Sequence, residues 1–183
     1  MIYPFEGKIP HIHDSVYVAE NATIVGNVEI GAHSSIWPGA VLRGDFSSIT
    51  IGNHTSIQDN CVIHVEGSMF NFSYPECPAV IGDYCTVGHG AVLHGCLIND
   101  RTLIGANAAI FNNAEIGEGS IVGIGCVISD NKKIPPRSVV VGVPGRIVRE
   151  VTKEEWERSR THAEIYSKLA GKYRDLQRSM SVP

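Results

Sequence analysis

The fold of this chain is decided by residues 98–128, which read INDRTLIGANAAIFNNAEIGEGSIVGIGCVI. An aliphatic residue begins every block of six in this stretch, at Ile98, Ile104, Ile110, Ile116, Val122 and Ile128. An α-helix cannot explain the period, because six residues advance about 600° around a helix axis and would scatter the aliphatic side chains over all its faces. A short fixed period instead indicates a repeat architecture of brief strands and corners.

The six-residue period extends over most of the chain in phased runs. It covers Val18 to Leu42, resumes at Ile51 and again at Ile81, and ends at Val140. Four positions after the aliphatic residue the side chain is usually small, at Ala22, Ser34, Ala40, Thr55, Cys61, Cys85, Ala91, Ala108, Ala114, Ser120, Cys126 and Ser138. Glycine often follows the aliphatic residue directly, and Gly or Asn is expected to supply the positive φ of a tight corner.

These patterns predict an all-β solenoid, a parallel β-helix of hexapeptide repeats. The aliphatic side chains fill a narrow interior, three hexads close one coil, and successive coils stack about 4.8 Å apart. The composition agrees, because 21 Ile and 19 Val stand against 6 Leu and only 7% of the residues are aromatic. Branched Cβ atoms suit extended backbone better than helix.

The period also predicts the domain organisation. Residues 65–80 interrupt it and read as a loop inserted into the solenoid. We expect a β-helix domain over residues 1–145, followed by a C-terminal amphipathic helix over residues 146–183.

The expected helix has both a start signal and an apolar stripe. Thr152 and Glu155 form a capping box, and apolar residues recur at helical spacing from Trp156 to Leu176. A single amphipathic helix does not stand alone in water. It should therefore pack on the solenoid or on a neighbouring subunit.

Charge and cysteine usage exclude several classes of protein. The net charge is −4 without long runs of like charge, so we expect neither a nucleic-acid partner nor a membrane partner. We find no signal-peptide pattern, and we expect a cytoplasmic location. The five cysteines have irregular spacing and no CxxC pair, so reduced thiols are expected, mostly in the small-residue slot of the repeat.

Three histidines lie near the loop, and the phase that two of them share suggests a metal site. His64 and His94 each follow an aliphatic repeat residue directly, so they should stack on the same wall one coil apart, about 4.8 Å between backbones. Two imidazoles at that separation can share one metal at Zn–N distances of about 2.0–2.1 Å. His89 falls on a different wall and cannot easily join them within one chain. In a cyclic trimer, His89 of the adjacent subunit can supply the third ligand.

Three motifs resemble those of a known family. They are Arg43-Gly44-Asp45, the stretch QDNCVIH over residues 58–64, and the stretch GHGAVLHG over residues 88–95. Together with VGVPG at residues 141–145 and AEIY at residues 163–166, they closely resemble the gamma-class carbonic anhydrases over nearly the whole chain. The resemblance implies a left-handed β-helix, a homotrimer, and a metal bound by His64, His89 and His94 at each subunit interface.

The same resemblance implies roles for five further residues. Arg43 and Asp45 correspond to an interface ion pair that helps build the trimer and can touch bicarbonate. Gln58 and Asp59 occupy positions that hydrogen-bond around the metal-bound solvent, and Tyr166 matches an active-site tyrosine on the terminal helix. An ordinary surface ion pair and simple helix packing are the alternatives for Arg43–Asp45 and for Tyr166.

The sequence departs from the best-characterised type of the family at the site. Phe46 replaces a glutamate after the Arg-Gly-Asp stretch, and Ser56 replaces an asparagine. The loop is aromatic and offers only Glu66 and Glu76 for proton transfer. The chain therefore resembles the shorter branch of the family that lacks the proton-shuttle glutamates.

The leading hypothesis is reversible hydration of carbon dioxide to bicarbonate. A metal would lower the pKa of bound water toward 7, and the resulting hydroxide would attack CO₂. Zn²⁺ is the expected cofactor, although Fe²⁺ or Co²⁺ also suits three imidazoles. The alternatives are a hexapeptide-repeat acyltransferase or thioesterase, and a non-catalytic metal-binding scaffold trimer.

Overall fold

The computed structural model of the chain describes residues 1–68 and 73–180. The strands in chain order are β1 (Ile2–Tyr3), β2 (His11–Ile12), β3 (Tyr17–Val18), β4 (Thr23–Ile30), β5 (Ser35–Ile36), β6 (Val41–Ile51), β7 (Ser56–Ile57), β8 (Val62–His64), β9 (Ala79–Ile81), β10 (Thr86–Val87), β11 (Val92–His94), β12 (Leu97–Ile98), β13 (Leu103–Ile104), β14 (Ala109–Ile110), β15 (Glu115–Ile116), β16 (Ile121–Val122), β17 (Val127–Ile128), β18 (Lys133–Ile134), β19 (Ser138–Val141) and β20 (Arg146–Glu150). One long helix, α1 (Lys153–Met180), follows them.

The strands stack into three walls, and all neighbours pair in parallel except β19 and β20. The first wall runs through β1, the first halves of β4 and β6, β8, β11, β14 and β17. The second runs through β2, the second halves of β4 and β6, β9, β12, β15 and β18. The third runs through β3, β5, β7, β10, β13, β16, β19 and β20. This parallel solenoid of about eight turns, consistent with a left-handed β-helix of hexapeptide repeats, confirms the predicted fold.

The interior of the solenoid is filled by the side chains that set the period. Every aliphatic repeat residue is buried except Val18, which is half-buried on the third wall near the N-terminal end. The small residues four positions later are all buried as well. Burial of one such Ile or Val stabilises the fold by roughly 1.5–3 kcal/mol, so the column of repeat residues is the main source of the core.

The corners use positive φ at a different position from the one where glycine is most frequent. The glycines that directly follow repeat residues do not have positive φ; at Gly88, for example, a Cβ atom would lie 2.8 Å from the nitrogen of Ala106 in the next coil. Close approach between coils therefore explains this glycine. Positive φ falls instead three residues after the repeat residue, at His33, Gly39, His54, Asn60, Tyr84, Gly90, Arg101, Asn107, Asn113, Gly119, Gly125, Asn131 and Arg137.

The segment after the solenoid differs from the expected single helix. Residues 146–150 form β20, which pairs antiparallel with β19 and extends the third wall. Helix α1 begins only at Lys153. The chain first reverses direction and satisfies the hydrogen bonds of the last coil, and only then does the capping box start the helix.

Helix α1 packs on the solenoid of its own chain. The capping box forms as predicted, because the Glu155 nitrogen donates to Thr152 Oγ1 at 3.2 Å and the Thr152 nitrogen donates to the Glu155 carboxylate at 2.9 Å. The helix contacts β3, β5 and β7 of the third wall and buries Ala163 and Ala170. In the described parts of the chain, no helix combines the length and apolarity needed to cross a membrane.

Both ends of the helix are held to the walls by arginines. Near its start, the Trp156 ring has the guanidinium of Arg101 3.5 Å from its centroid and that of Arg137 4.2 Å away. Near its end, Arg174 donates to the carbonyl of Ser15 at 2.8 Å. The helix therefore spans the coils from a late corner back to the first one.

Candidate metal centre

The first wall brings His64 and His94 side by side. The two residues are register partners at the ends of β8 and β11, and Arg43 on β6 is the partner of His64 one coil earlier. The Nδ1 atom of His64 lies 3.0 Å from the Nε2 atom of His94. The two histidines thus meet as their shared phase in the sequence predicts.

An aspartate holds the far side of the His64 ring. His64 Nε2 donates to Asp45 Oδ1 at 3.0 Å, and Arg43 forms an ion pair with the other carboxylate oxygen. Burial alone would raise the pKa of Asp45, but the hydrogen bonds and positive charges of Arg43 and His64 lower it below its ordinary value. Burial lowers the pKa of His64, although its hydrogen bond to Asp45 opposes that shift. A neutral His64 imidazole, the form that binds metals, is therefore favoured.

An asparagine holds the far side of the His94 ring. His94 Nδ1 lies 2.6 Å from Asn112 Oδ1, and Asn112 Nδ2 donates to the carboxylate of Glu66. A carboxylate can only accept, so the amide of Asn112 must turn its nitrogen to Glu66 and its oxygen to His94. His94 consequently carries its proton on Nδ1.

These outer hydrogen bonds determine what the two rings present to each other. Because His64 is protonated on Nε2 and His94 on Nδ1, both nitrogens that face each other carry lone pairs. Two such lone pairs 3.0 Å apart repel unless a proton or a cation lies between them. Two nitrogens that bind one tetrahedral zinc ion at the usual bond lengths are about 3.3 Å apart. The donor set therefore fits a metal ion that prefers imidazole.

His89 lies apart from this pair within the chain. It occupies the corner after β10, its side chain is 59% exposed, and its Nδ1 donates to Asp59 Oδ2 at 2.8 Å. With Nδ1 engaged, Nε2 is the nitrogen left for a ligand. Within residues 1–68 and 73–180 of a single chain, no three His, Cys, Asp or Glu side chains are arranged to hold a metal ion. One chain supplies only part of the expected three-histidine set.

Gln58 and Tyr166 lie along the third wall and its helix. Gln58 follows β7 directly and is only 4% exposed, yet its side-chain amide makes no hydrogen bond to the described part of the chain. Tyr166 on α1 packs edge-on against Trp37, with ring centroids 5.9 Å apart, and against His162 at 5.1 Å. The fold does not bring Tyr166 to His64 and His94 of the same chain in any described contact.

The departures from the family pattern have structural explanations. Phe46 packs against the core, and its ring centroid lies 5.6 Å from that of His64. On the opposite side, the Phe111 ring lies 6.4 Å from His94. The Ser56 hydroxyl is buried and accepts from the Trp37 indole at 2.9 Å, so it serves the packing of the third wall.

The inserted loop is closed at its base beside the histidines. Glu66 and Cys77 form an antiparallel backbone bridge, with hydrogen bonds of 3.2 and 2.8 Å. The Ser68 hydroxyl donates to the carbonyl of Tyr74 at 2.9 Å. The loop expected over residues 65–80 is described except for 69–72, and the part of the aromatic cluster there lies outside the described residues.

Asn112 is the residue of this site that the sequence motifs do not indicate. It lies one coil beyond His94 and two positions after the repeat residue Ile110, so it stands one place past the column that holds the histidines. The sequence offers one indication of its role, which is that it stands next to the column of His64 and His94 in the register. Its contact with His94 depends on a diagonal reach between coils that the period does not specify.

Comparison with known proteins agrees with the fold. The family described as "Bacterial transferase hexapeptide (six repeats)" matches residues 9–44. A solved structure of a candidate acetyltransferase from Bacillus cereus superposes with a TM-score of 0.90 at 38% identity, covering 96% of this chain and 97% of that one.

Several curated relatives carry the name of an enzyme. A protein of Methanocaldococcus jannaschii named "Probable carbonic anhydrase" is 48% identical over 159 residues, which are 87% of this chain and 95% of that protein. The mitochondrial gamma carbonic anhydrase 1 of Arabidopsis thaliana is 40% identical over 89% of this chain, which spans 58% of that longer protein. Identity at this level over nearly the full length of the archaeal protein shows that the chain belongs to the gamma-class carbonic anhydrase family.

Proposed function

We propose that this protein catalyses the reversible hydration of carbon dioxide to bicarbonate at a metal centre shared between two subunits. The observation that carries the proposal is the pair of facing nitrogens on His64 and His94, 3.0 Å apart, with the far nitrogen of each ring already hydrogen-bonded. Histidines that bind a metal ion almost always have their other ring nitrogen engaged in a hydrogen bond of this kind. Zn²⁺ is the proposed metal, and Fe²⁺ or Co²⁺ would also suit imidazole ligands.

The third ligand in this proposal is His89 of an adjacent subunit in a homotrimer. His89 is exposed and lies at a corner one wall away from His64. Its hydrogen bond to Asp59 uses Nδ1, so Nε2 can face a metal ion. A cyclic trimer repeats one contact three times, so each interface would join one His64–His94 pair to one His89. In this arrangement Asp59 orients His89, in addition to the expected hydrogen bonding near the metal-bound solvent.

When bound, a divalent metal supplies the Lewis acidity that makes hydroxide available near neutral pH. The chain's own groups would then position the reactants. The nearly buried amide of Gln58 has unused hydrogen-bonding capacity and would orient the attacking water. Phe46 and Phe111 flank the histidines with apolar surface that suits CO₂.

Arg43, Asp45 and Tyr166 complete the proposed site. The Arg43 side chain is 45% exposed beside Asp45, and its guanidinium has further donors for the bicarbonate anion. Asp45 holds His64 in the tautomer that binds a metal. Tyr166 would reach the site only across the subunit interface, because its described contacts within the chain are with Trp37 and His162. The expected cytoplasmic location stays a prediction.

The experiment that tests this proposal is complementation between inactive variants. His89→Ala and His94→Ala are purified separately, unfolded together and refolded as a mixture, and metal content and CO₂ hydration by stopped flow are measured. Neither variant alone should hold the metal. In a random mixed trimer a site is intact when one neighbour keeps the His64–His94 pair and the next keeps His89, which restores about a quarter of the sites.

A matched control separates this arrangement from others. A mixture of His64→Ala and His94→Ala should restore nothing, because both ligands must come from the same chain. Full metal content in purified His94→Ala would contradict the proposed centre. A metal-loaded wild type without hydration above the background rate would contradict the enzymatic activity and favour the non-catalytic scaffold.

A further inference from the structure

A hydrogen-bonded chain of three side chains leads from the candidate metal ligand His94 to the inserted loop. His94 Nδ1 meets Asn112 Oδ1 at 2.6 Å, and Asn112 Nδ2 donates to the carboxylate of Glu66. We propose that Asn112 and Glu66 are positioning residues that hold His94 in its metal-binding orientation. This inference rests on the proposed function, because it takes His94 as a metal ligand.

The donor and acceptor order of these hydrogen bonds makes the protonated nitrogen of His94 depend on Asn112, and the orientation of Asn112 depend on Glu66. A free asparagine amide can rotate and offer either its oxygen or its nitrogen to a neighbour. If Asn112 turned its nitrogen to His94, then His94 would have to carry its proton on Nε2, the atom that faces His64. The Glu66 carboxylate prevents this exchange because it can only accept. Glu66 therefore selects the tautomer of His94 through Asn112.

The backbone holds both partners in place. Glu66 is fixed by its two backbone hydrogen bonds to Cys77 at the base of the loop. The Asn112 oxygen is packed so closely over Gly95 that a Cβ atom on that glycine would lie 2.8 Å from it. Both side chains are half-buried, which protects the pair from competing water. The loop thus contributes to the metal centre through its anchored base.

The His64 side of the site is built in the same way. There, Asp45 accepts from the far nitrogen of His64 and is itself held by Arg43. Two separate pairs of residues, one on each neighbouring coil, therefore perform the same task on the two rings. Outer hydrogen bonds of this kind typically change metal affinity by about 10–100-fold when they are removed.

The inference gives Glu66 a different duty from the proton export considered for it from the sequence. As a positioning residue it presents an oxygen that accepts a hydrogen bond from Asn112 Nδ2. Glutamine keeps such an oxygen, but its amide can also turn and donate, so it fixes Asn112 less strictly than the carboxylate does. Glu66→Gln should consequently weaken metal binding, but by less than Glu66→Ala does.

The test measures the affinity for Zn²⁺ and Co²⁺ by competition with a chromogenic chelator, together with the visible absorption spectrum of the Co²⁺ form. Asn112→Ala and Glu66→Ala should each weaken metal binding about 10–100-fold and alter the Co²⁺ bands. Glu66→Gln keeps an accepting oxygen but no longer excludes the flipped amide, so it should lose clearly less affinity than Glu66→Ala. Glu76→Ala, an exposed change in the same loop, is the control and should have no effect.

A double variant that exchanges the carboxylate and the amide between positions 66 and 112 provides a second measurement in case an alanine variant fails to fold. Asn112→Asp keeps the oxygen for His94 but sets two carboxylates against each other, so it should weaken metal binding. Adding Glu66→Gln to it restores a donor and an acceptor in reversed order and should recover most of the loss. Failure of this rescue would overturn the inference, as would an equal loss in Glu66→Gln and Glu66→Ala.

The outcomes also separate this inference from the proposed function. If His94→Ala leaves metal affinity unchanged, the proposed centre itself is wrong. If His94→Ala abolishes binding while Asn112→Ala and Glu66→Ala leave it at the wild-type value, then the centre stands and the positioning role is refuted.

Discussion

Gly95 offers a sharp test of how closely the coils fit around the candidate metal centre. It directly follows His94 and adopts a φ of +53°. A Cβ atom there would lie 2.6 Å from the Cys77 sulfur, 2.8 Å from Asn112 Oδ1 and 2.9 Å from the Cys77 carbonyl oxygen. We therefore expect Gly95→Ala to disturb both the solenoid and the hydrogen bond that orients His94.

The magnitude can be divided into two contributions. Placing an alanine at positive φ costs about 1–2 kcal/mol, of which lower entropy of the unfolded chain returns about 0.4–1 kcal/mol. Forcing a methyl group into a packed contact adds about 1–3 kcal/mol. The expected loss in the free energy of unfolding is about 2–4 kcal/mol, or a decrease in Tm of roughly 5–15 °C for a chain of this length.

Gly125→Ala is the matched control. Gly125 has a φ of +65°, but a Cβ atom there would meet nothing within 4 Å, so only the backbone contribution of about 1 kcal/mol applies. Thermal and urea unfolding measure both variants, and chelator competition measures their affinity for Zn²⁺. Equal stability losses in the two variants, or an unchanged zinc affinity in Gly95→Ala, would refute the packing argument.

Three further predictions concern the helix, the pH dependence and the thiols. Trp156→Ala should lower the free energy of unfolding by about 2–4 kcal/mol, since two guanidiniums lose the ring between them; unchanged urea unfolding would contradict this. Burial and a neighbouring histidine lower the pKa of His54, so the unfolded chain binds this proton more readily and the stability of the metal-free protein should fall as the pH drops below about 6.5. His54→Gln should flatten that decline in urea titrations between pH 5 and 8, and an unaltered slope would argue against it. Burial raises the pKa of Cys61 to about 11 and those of Cys85 and Cys96 to about 12, so a thiol reagent at pH 8 should label the protein rapidly only after unfolding.

Most of the solenoid could be predicted because its period is a local property of the chain. Each repeat residue has the same task, which is to fill the interior of one wall, so aliphatic side chains recur at fixed spacing. The stacking of His64 on His94 follows from the same rule, because parallel coils in register place equivalent positions together. The capping box at Thr152 likewise needs only residues three apart.

Other features depend on contacts that have no fixed spacing. The strand β20 was not indicated, because residues 146–150 are exposed and their pairing depends on the edge that β19 happens to present. Positive φ at His54 and Tyr84 was also not indicated, since propensity favours glycine or asparagine there. Stacking of these two rings, 4.8 Å between centroids, accompanies the unusual backbone along that corner.

The sequence by itself determined the β-solenoid, its aliphatic interior and the column that joins His64 to His94, because a strict period makes distant residues equivalent. Only the tertiary structure decided which oxygens meet the outer nitrogens of those rings. Asp45 lies two residues past Arg43, the position in register with His64, and Asn112 reaches His94 diagonally from the next coil. No spacing rule specifies such contacts. The packing of α1 on its own solenoid was also decided only by the tertiary structure. The apolar face of a helix shows that it will be covered, but not by which surface.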